Sequence, residues 1–417
     1  MIGSAIGFGA LDQPTLARLV PELLLCGHLI DRAAMPHVIG LLGNDGVREI
    51  SVDEWMGASP IYTRRMRAAL AYEGDDVETI FKGLQLDIGA PPQFMDFRYT
   101  LHDPMHGEFE LAHCGALMDV EPMGDELVHT MCHHIEDPTF DATAAATNPR
   151  ARMRPIHRPP RVPAGRSPHC AWTVTIESEN EPLPYPDQTR WTAGTHAATW
   201  ADVTEIDPAE PGRGDYTGPL LADLNFSEWS RSALARMAEE VCLQQHLLAL
   251  AFVASARERV GAGVATDLHR KQFVGTAGLT AERLRAALGV PADLAGLAAV
   301  LAVHPAVNPA GYGGADVSVD GERLVLRVDR RSPQVADGGW LALVDAEHLE
   351  PIHALALGVN PRFEVAVVAD GDDLLELELA LGDEAQPEYV EVVLAKFSTG
   401  AGFAFADRGR SLPVIAS

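Results

Sequence analysis

The chain contains 417 residues, 47% of them hydrophobic, and its formal net charge is −27 at pH 7. A polyanion of this size repels nucleic acid and anionic membrane surfaces, so neither is an expected partner. No apolar run is long enough to cross a bilayer, and the first residues lack the pattern of a secretory signal. Five cysteines are few and odd in number, which favours reduced thiols and a cytoplasmic location over a disulfide framework.

Helices are predicted for the first part of the chain. Leucines recur at helical spacing over residues 12–42, after Asp12 as a capping residue. Two further helices are expected at Pro60–Tyr72 and Asp75–Gln85, and the sequence Gly-Ala-Pro-Pro at 89–92 ends the helical part.

The period then changes to two, which is typical of strands. Apolar and polar residues alternate over 97–102 and 107–113, and residues 126–134 and 169–177 have a β-like composition as well. These segments predict an antiparallel sheet, interrupted by a short helix at Thr139–Thr147.

The remaining elements are a helical middle and a second mixed unit. A long helix is predicted from Glu228 to about Val260, a further helix over 280–288, and a hairpin around Asp320 and Gly321. The last predicted elements are a helix at Asp345–Leu357 and strands at 363–369, 374–381 and 389–397. We therefore expect an α+β protein without an internal repeat. Its three expected regions are a site-bearing α+β domain (1–180), a mainly helical region (181–290) and a C-terminal α+β domain (291–417).

Histidines are concentrated between residues 102 and 134. If 97–102 and 107–113 form a hairpin, His102 and His106 lie at its tip, and a strand at 126–134 brings His133 and His134 back to the same end. Asp137 follows at once, and His169 precedes the next strand. Because imidazole and carboxylate ligands build open catalytic zinc or iron sites, this placement predicts a divalent metal. The alternative is a set of solvated histidines at a sheet edge.

Three of the five cysteines lie in the same stretch. Cys114 ends one predicted strand, Cys132 lies late in the next, and Cys170 opens a third. A thiolate beside a histidine can act as a nucleophile, so these three cysteines and His134 are the candidate catalytic residues. The alternative is that the thiols simply fill the core.

Six arginines occur between 150 and 166 in an otherwise acidic chain. Arg152, Arg154 and Arg158 are the candidate substrate-binding residues, because guanidinium groups hold carboxylates in a bidentate fork. A small anionic molecule is therefore the expected partner. The alternative is that these arginines pair with the protein's own carboxylates.

Short motifs in residues 60–176 resemble a known group of families. Phe81-Lys82-Gly83 is followed by LAHCG around Cys114, by MCHHIED with Cys132 and Asp137, and by AGRSPHCAW with Gly165, Cys170 and Trp172. This order is similar to that of the L-2-amino-thiazoline-4-carboxylic acid hydrolase family and the related 4-vinyl-reductase-type ligand-binding domains. The resemblance implies a small-molecule pocket on an α/β ligand-binding fold. For the hydrolase branch it also implies opening of a C–N bond in a small heterocyclic acid.

These features together favour a hydrolase. We expect a metal- and/or cysteine-dependent enzyme acting on a C–N bond of a small carboxylate-bearing substrate. A non-catalytic module that binds a small molecule or metal, and a thiol redox protein, are the alternatives. No nucleotide cofactor is expected, because the chain lacks a glycine-rich phosphate-binding motif. A homo-oligomer is possible.

Overall fold

The computed structural model describes residues 2–3 and 6–397, and it confirms the α+β class. The helices longer than four residues are α1 (Gln13–Ala69), α2 (Val77–Leu84), α3 (Gly115–Val120), α4 (Asp125–His129), α5 (Glu136–Ala145), α7 (Arg231–Leu288), α8 (Leu294–Val303), α11 (Glu350–Val359) and α12 (Val390–Phe397). Single turns form α6 (His196–Thr199), α9 (Ala310–Gly313) and α10 (Pro333–Ala336). A π-helical segment, Thr130–Ile135, joins α4 to α5.

Two antiparallel sheets accompany the helices. Their strands are β1 (Ile2–Gly3), β2 (Met95–Asp103), β3 (His106–Cys114), β4 (Ala151–His157), β5 (Cys170–Ile176), β6 (Ala315–Asp320), β7 (Arg323–Asp329), β8 (Phe363–Asp370) and β9 (Leu374–Leu381). The first sheet has the order β2-β3-β5-β4, and the second has the order β1-β6-β7-β9-β8. The predicted hairpins β2–β3 and β6–β7 are confirmed.

The two longest helices are each a pair of helical arms joined at one glycine. In α1 the joint is Gly43, with φ 67° and ψ −166°, and in α7 it is Gly261, with φ 79° and ψ 167°. This region of backbone space is almost restricted to glycine. The arms of α1 run back along each other, since the rings of His28 and Trp55 lie 6.3 Å apart between centroids. The two helix pairs pack on each other and form the centre of the molecule.

The two helix pairs are related copies, so the expectation of no internal repeat is wrong. At one constant offset along the chain, Leu16-Ala17-Arg18 corresponds to Leu234-Ala235-Arg236, and Arg67-Ala68-Ala69-Leu70 corresponds to Arg285-Ala286-Ala287-Leu288. At the same offset, three further single residues are identical: His28 aligns with His246, Gly43 with Gly261 and Gly57 with Gly275.

The duplication continues beyond the helix pairs. Each is followed by a helix with an aspartate N-cap, Asp76 before α2 and Asp293 before α8. Each copy then forms four strands in the order first-second-fourth-third, with helix inserted between the second and third strands. We name residues 13–176 the N-terminal copy and residues 231–381 the C-terminal copy. The insert contains α10 and α11 in the C-terminal copy, whereas in the N-terminal copy it contains α3, α4, the π-helical segment and α5.

Two predicted strands are helical in the structure. Residues 126–134 lie in α4 and the π-helical segment, and 389–397 lie largely in α12. The arms after Gly43 and Gly261 begin earlier than predicted. One apolar core contains residues from all three of the predicted regions, such as Leu16, Leu234 and Leu326. The domain boundaries themselves stay a prediction.

Candidate functional site

The predicted metal site is wrong. Among the described residues, no group of three or more His, Cys, Asp or Glu side chains is placed to hold a metal ion. The strand expected at 126–134 is helical, so His133 and His134 do not return to the hairpin tip with His102 and His106. The expectation of a zinc- or iron-binding protein at these residues is therefore wrong.

Each predicted ligand has a different environment. His102 Nε2 lies 3.3 Å from Glu108, and His106 bonds to Asp103 at 2.9 Å and to Glu177 at 3.0 Å. The remaining predicted ligands are placed separately: His133 bonds to the Pro159 carbonyl at 2.6 Å, His134 is exposed, Asp137 pairs with Arg158, and His169 Nδ1 accepts from the Cys114 backbone N–H at 3.1 Å. These histidines and Asp137 have protein partners or face solvent.

The three candidate cysteines are brought together but are held as thiols. Cys114, Cys132 and Cys170 are buried and free, and each has the charge of Glu136 acting on its pKa. Burial raises the pKa of Cys114 to about 12 and the pKa values of the other two well above the ordinary range. Cys114 Sγ accepts from the Leu117 N–H at 3.4 Å and so caps α3. A protonated thiol is a poor nucleophile, so the catalytic role of these cysteines and of His134 stays a prediction without support from the geometry.

The candidate substrate-binding arginines contact the protein itself. Arg152 donates to backbone carbonyls, including that of Ala151 at 2.8 Å. Arg154 bonds to both carboxylate oxygens of Asp141 at 2.9 Å, and Arg158 bonds to Asp137. This arrangement favours the alternative of internal pairing, and a substrate-binding role stays a prediction.

A cavity lies elsewhere in the N-terminal copy, between α1 and the first sheet. It encloses about 740 Å³ including its open mouth. Its walls come from both arms of α1, from β2 and β3, and from the α3–α5 insert. Apolar side chains such as Leu84, Phe97, Leu111, Ile135 and Phe140 cover most of the wall. A largely apolar wall that also carries a few charged side chains is typical of small-molecule sites.

Charged side chains of α1 form one side of this cavity. His28, Asp31 and Arg32 project from one face of the first arm, because they are spaced at i, i+3 and i+4. Arg32 Nε donates to Asp119 at 3.0 Å, and its Nη1 lies 3.8 Å from Asp31. Glu54, on the second arm, is buried beside Asp31, and this burial together with the Asp31 charge raises its pKa well above the ordinary value. A buried charge cluster of this kind costs desolvation energy and contributes little net stability.

Two further carboxyl groups lie on the cavity wall. Glu136 begins α5, directly after the π-helical segment, and burial raises its pKa to about 8 against the opposing charge of Arg158. Asp87 accepts from the Tyr62 hydroxyl at 2.8 Å, and burial raises its pKa to about 6. At neutral pH, Glu136 is therefore largely a neutral acid and Asp87 largely a carboxylate.

Three side chains on the wall, Glu136, His28 and Arg32, have polar atoms without regular hydrogen bonds among the described residues, and in Arg32 that atom is Nη2. Glu136 is partly exposed as a whole, yet its Oε2 is shielded from solvent and has no partner. Neither ring nitrogen of His28 has a hydrogen bond of regular geometry. The Ile88 backbone lies near the ring and weakly favours the protonated form of His28. Burial, followed by the Arg32 charge, lowers the pKa of His28 to about 3, so the ring is neutral. Because buried polar groups are normally paired, the unpaired atoms of Glu136, His28 and Arg32 are suited to bind a ligand.

Sequence reasoning missed every charged residue of this cavity. Two patterns could have indicated it. The first is the pair Asp31-Arg32 inside the apolar helical segment around Leu24, Leu29 and Ala33. The second is the repeat, since Asp31, Arg32 and Glu54 correspond to Ala249, Leu250 and Gln272. The charges occur in one copy only.

The chain matches no protein-family model, no curated protein and no solved structure. The resemblance to the hydrolase and 4-vinyl-reductase-type families therefore stays a prediction. Within the described part of the chain, none of the helices combines the length and the apolar character that a membrane span requires.

Proposed function

We propose that the N-terminal copy binds a small, largely apolar molecule in the cavity between α1 and the first sheet. The observation that carries this proposal is that Glu136 and His28 present unsatisfied polar atoms at an apolar wall. Leaving such atoms unpaired costs about 1–3 kcal/mol each, so a ligand that pairs them recovers this free energy on binding. The five free thiols are compatible with the cytoplasmic location that belongs to this proposal.

Filling the cavity tests the proposal. Ala116 lies on its wall and is 3% exposed, and Ala116→Phe places a ring in the space that the ligand would occupy. We expect benzyl alcohol to raise the melting temperature of the wild-type protein and to leave that of Ala116→Phe unchanged. Ala201→Phe, at an exposed loop position, is the matched control and should behave as wild type. Equal responses of the wild type and Ala116→Phe would contradict the proposal.

A second candidate function is acid catalysis at the same site. Glu136 holds a proton at neutral pH and lies on the wall of a largely apolar cavity, which is the arrangement of a general acid. Such an acid can protonate the leaving nitrogen when a C–N bond is hydrolysed, which keeps the predicted hydrolase open without a metal. Glu136→Gln should then abolish turnover of small cyclic amides while leaving their binding intact. If turnover persists in Glu136→Gln, this function is excluded.

Binding of an anionic ligand and formation of a homo-oligomer are two separate proposals. An anion would have to bind at Arg152, Arg154 or Arg158 and compete there with Asp141 and Asp137. Substitution of Arg154 by alanine should weaken binding of such an anion with little change in stability, since the Arg154 side chain is 54% exposed. A loss of stability with unchanged binding would assign it to internal pairing.

A further inference from the structure

We infer that the ligand of the cavity carries a basic nitrogen and binds as a cation, an inference that rests on the proposed function. The ionisable side chains on the cavity wall are unequal in sign. Asp31, Asp87 and Glu136 contribute carboxyl groups, whereas Arg32 contributes the one guanidinium. Arg32 already bonds to Asp119, which lies behind the wall. A cation would thus enter a region with an excess of carboxyl groups, and an anion would meet like charge.

The unpaired atoms of Glu136 and His28 have the right polarity for an ammonium group, whereas the unpaired Arg32 Nη2 is a donor whose guanidinium is already bonded to Asp119 through Nε. An ammonium nitrogen donates up to three hydrogen bonds and accepts none. Glu136 Oε2 is an acceptor once the acid ionises, and the neutral His28 ring offers one accepting nitrogen. Tyr62, Trp55, Phe97 and Phe140 add aromatic rings to the same wall. Aromatic faces attract cations, and carboxylates combined with aromatic rings are a recurrent way to recognise amines.

Binding of a cation should be linked to release of the Glu136 proton. The pKa of Glu136 is about 8, so the free protein at pH 7 holds this proton on roughly 0.9 of the molecules. An ammonium ligand favours the carboxylate, so the proton passes from Glu136 to the buffer as the ion pair forms. The groups that act on this equilibrium are Arg158 and Asp137 beside α5, the thiols of Cys114, Cys132 and Cys170, and His28, Asp31, Arg32 and Asp87 across the cavity. A neutral ligand has no such requirement.

A matched series of probes separates this inference from the proposed function. Benzylamine, benzyl alcohol and benzoate share one ring and differ in charge. We expect calorimetry at pH 7 to show benzylamine binding about tenfold or more tightly than benzyl alcohol, with benzoate weakest. Titrations in two buffers of different ionisation heat should report release of roughly 0.9 proton with benzylamine and none with benzyl alcohol. Below pH 8, the affinity for benzylamine should rise roughly tenfold per pH unit.

Two variants complete the test. Glu136→Gln keeps the shape of the side chain, and it should remove the proton release and the preference for benzylamine while benzyl alcohol still binds. Glu126→Gln is the matched control, because Glu126 is exposed, does not lie on the cavity wall and is not among the groups that shift the pKa of Glu136. Its binding should equal that of the wild type.

The possible failures are distinguishable. If benzyl alcohol or benzoate binds as tightly as benzylamine, or if Glu136→Gln retains the preference, the inference is overturned and the binding cavity stands. If none of the three probes binds at millimolar concentration, or if Ala116→Phe binds them as the wild type does, the proposed function and the inference fail together.

Discussion

His28 and His246 occupy equivalent positions in the two copies, but their surroundings differ. His246 is buried and its Nε2 bonds to the carbonyls of Pro305 at 2.9 Å and Asn308 at 3.0 Å. His28 is equally buried, and it faces the cavity without a regular hydrogen bond. The histidine of the C-terminal copy thus binds the Pro305–Asn308 segment through its ring, whereas the ring nitrogens of the histidine in the N-terminal copy lack a regular hydrogen bond.

The charged neighbours of the two histidines extend this difference. Asp31 and Arg32 follow His28, whereas Ala249 and Leu250 stand at the equivalent positions after His246. The C-terminal copy folds the same topology without these charges, so the fold does not need them. A buried charge cluster that the fold does not need is best explained by the binding of a ligand.

The largest expected effect comes from giving the N-terminal copy the apolar residue of its counterpart. Arg32→Leu leaves Asp31 and Asp119 buried without their cation, which should lower the free energy of unfolding by about 3–5 kcal/mol. Asp31→Ala/Arg32→Leu/Asp119→Leu removes the Arg32 guanidinium together with both of its carboxylate partners and should regain most of that loss. Urea unfolding of the three proteins tests this. If Arg32→Leu is as stable as the wild type, the charge cluster is not desolvated.

The two joint glycines should be equally sensitive. A Cβ at Gly43 or at Gly261 meets no atom within 4 Å, so any cost of alanine there comes from the backbone conformation alone. We expect Gly43→Ala and Gly261→Ala each to cost about 1–3 kcal/mol and to differ by less than the error of the measurement. Gly40→Ala and Gly263→Ala, also in open space but without a positive φ, are the matched controls and should be neutral or stabilising. Strongly unequal costs at the two joints would argue against equivalent turns.

Substitution of the two histidines should have unequal effects. His246→Leu removes the hydrogen bond to the Asn308 carbonyl, whereas the Pro305 carbonyl still accepts from the Asn308 N–H, and it should cost about 1–3 kcal/mol in thermal or urea unfolding. His28→Leu removes an unpaired buried group, so it should leave stability unchanged or raise it by up to about 1–3 kcal/mol. The same His28 variant should weaken binding of benzylamine, which a purely structural residue would not do. Equal destabilisation by both changes would end the distinction between the two copies.

Local patterns predicted the elements that local physics controls. The β2–β3 hairpin follows from the alternation around Phe97 and Phe109, and α1 begins where Asp12 caps it by accepting from the Thr15 N–H at 3.0 Å. Residues 126–134 were misjudged because their composition suits a strand, whereas Val128 and Cys132 bury their side chains from a helical segment. Packing against the apolar core that contains both residues decided the conformation.

The candidate site depends on contacts that are distant in sequence. Asp31 and Glu54 meet because α1 folds back at Gly43, and Glu136 reaches the same cavity through the insert after β3. The concentration of histidines and cysteines drew attention to the correct insert but to the wrong residues within it. The pair Asp31-Arg32 in an apolar helical segment was one indication in the sequence. Comparison of the two copies at a fixed offset was the route that also reaches Glu54, and the identical residues that reveal this offset are widely spaced.

The smallest expected effect is a pH dependence confined to the N-terminal copy. Glu136 has a pKa of about 8 in the folded protein and about 4.5 as the ordinary value, so the unfolded chain loses this proton first as pH rises. A carboxyl group whose pKa is raised by folding contributes stability that is fully present below its pKa in the unfolded chain. This contribution is lost progressively as the pH rises towards its pKa in the folded protein. Between pH 5 and pH 8 the wild type should therefore lose stability relative to Glu136→Gln. Because the cavity is open to water at its mouth, we expect a change of about 1 kcal/mol over that interval, well below the limit for full burial.

Urea unfolding of both proteins at several pH values measures the difference, in which the other titrating groups, including Asp87, largely cancel. Glu126→Gln, at an exposed position that does not act on the pKa of Glu136, should run parallel to wild type throughout. A difference between wild type and Glu136→Gln that is constant with pH would mean that Glu136 is ionised in the folded protein at pH 5. In that case the proton release expected on binding of an amine would be absent as well.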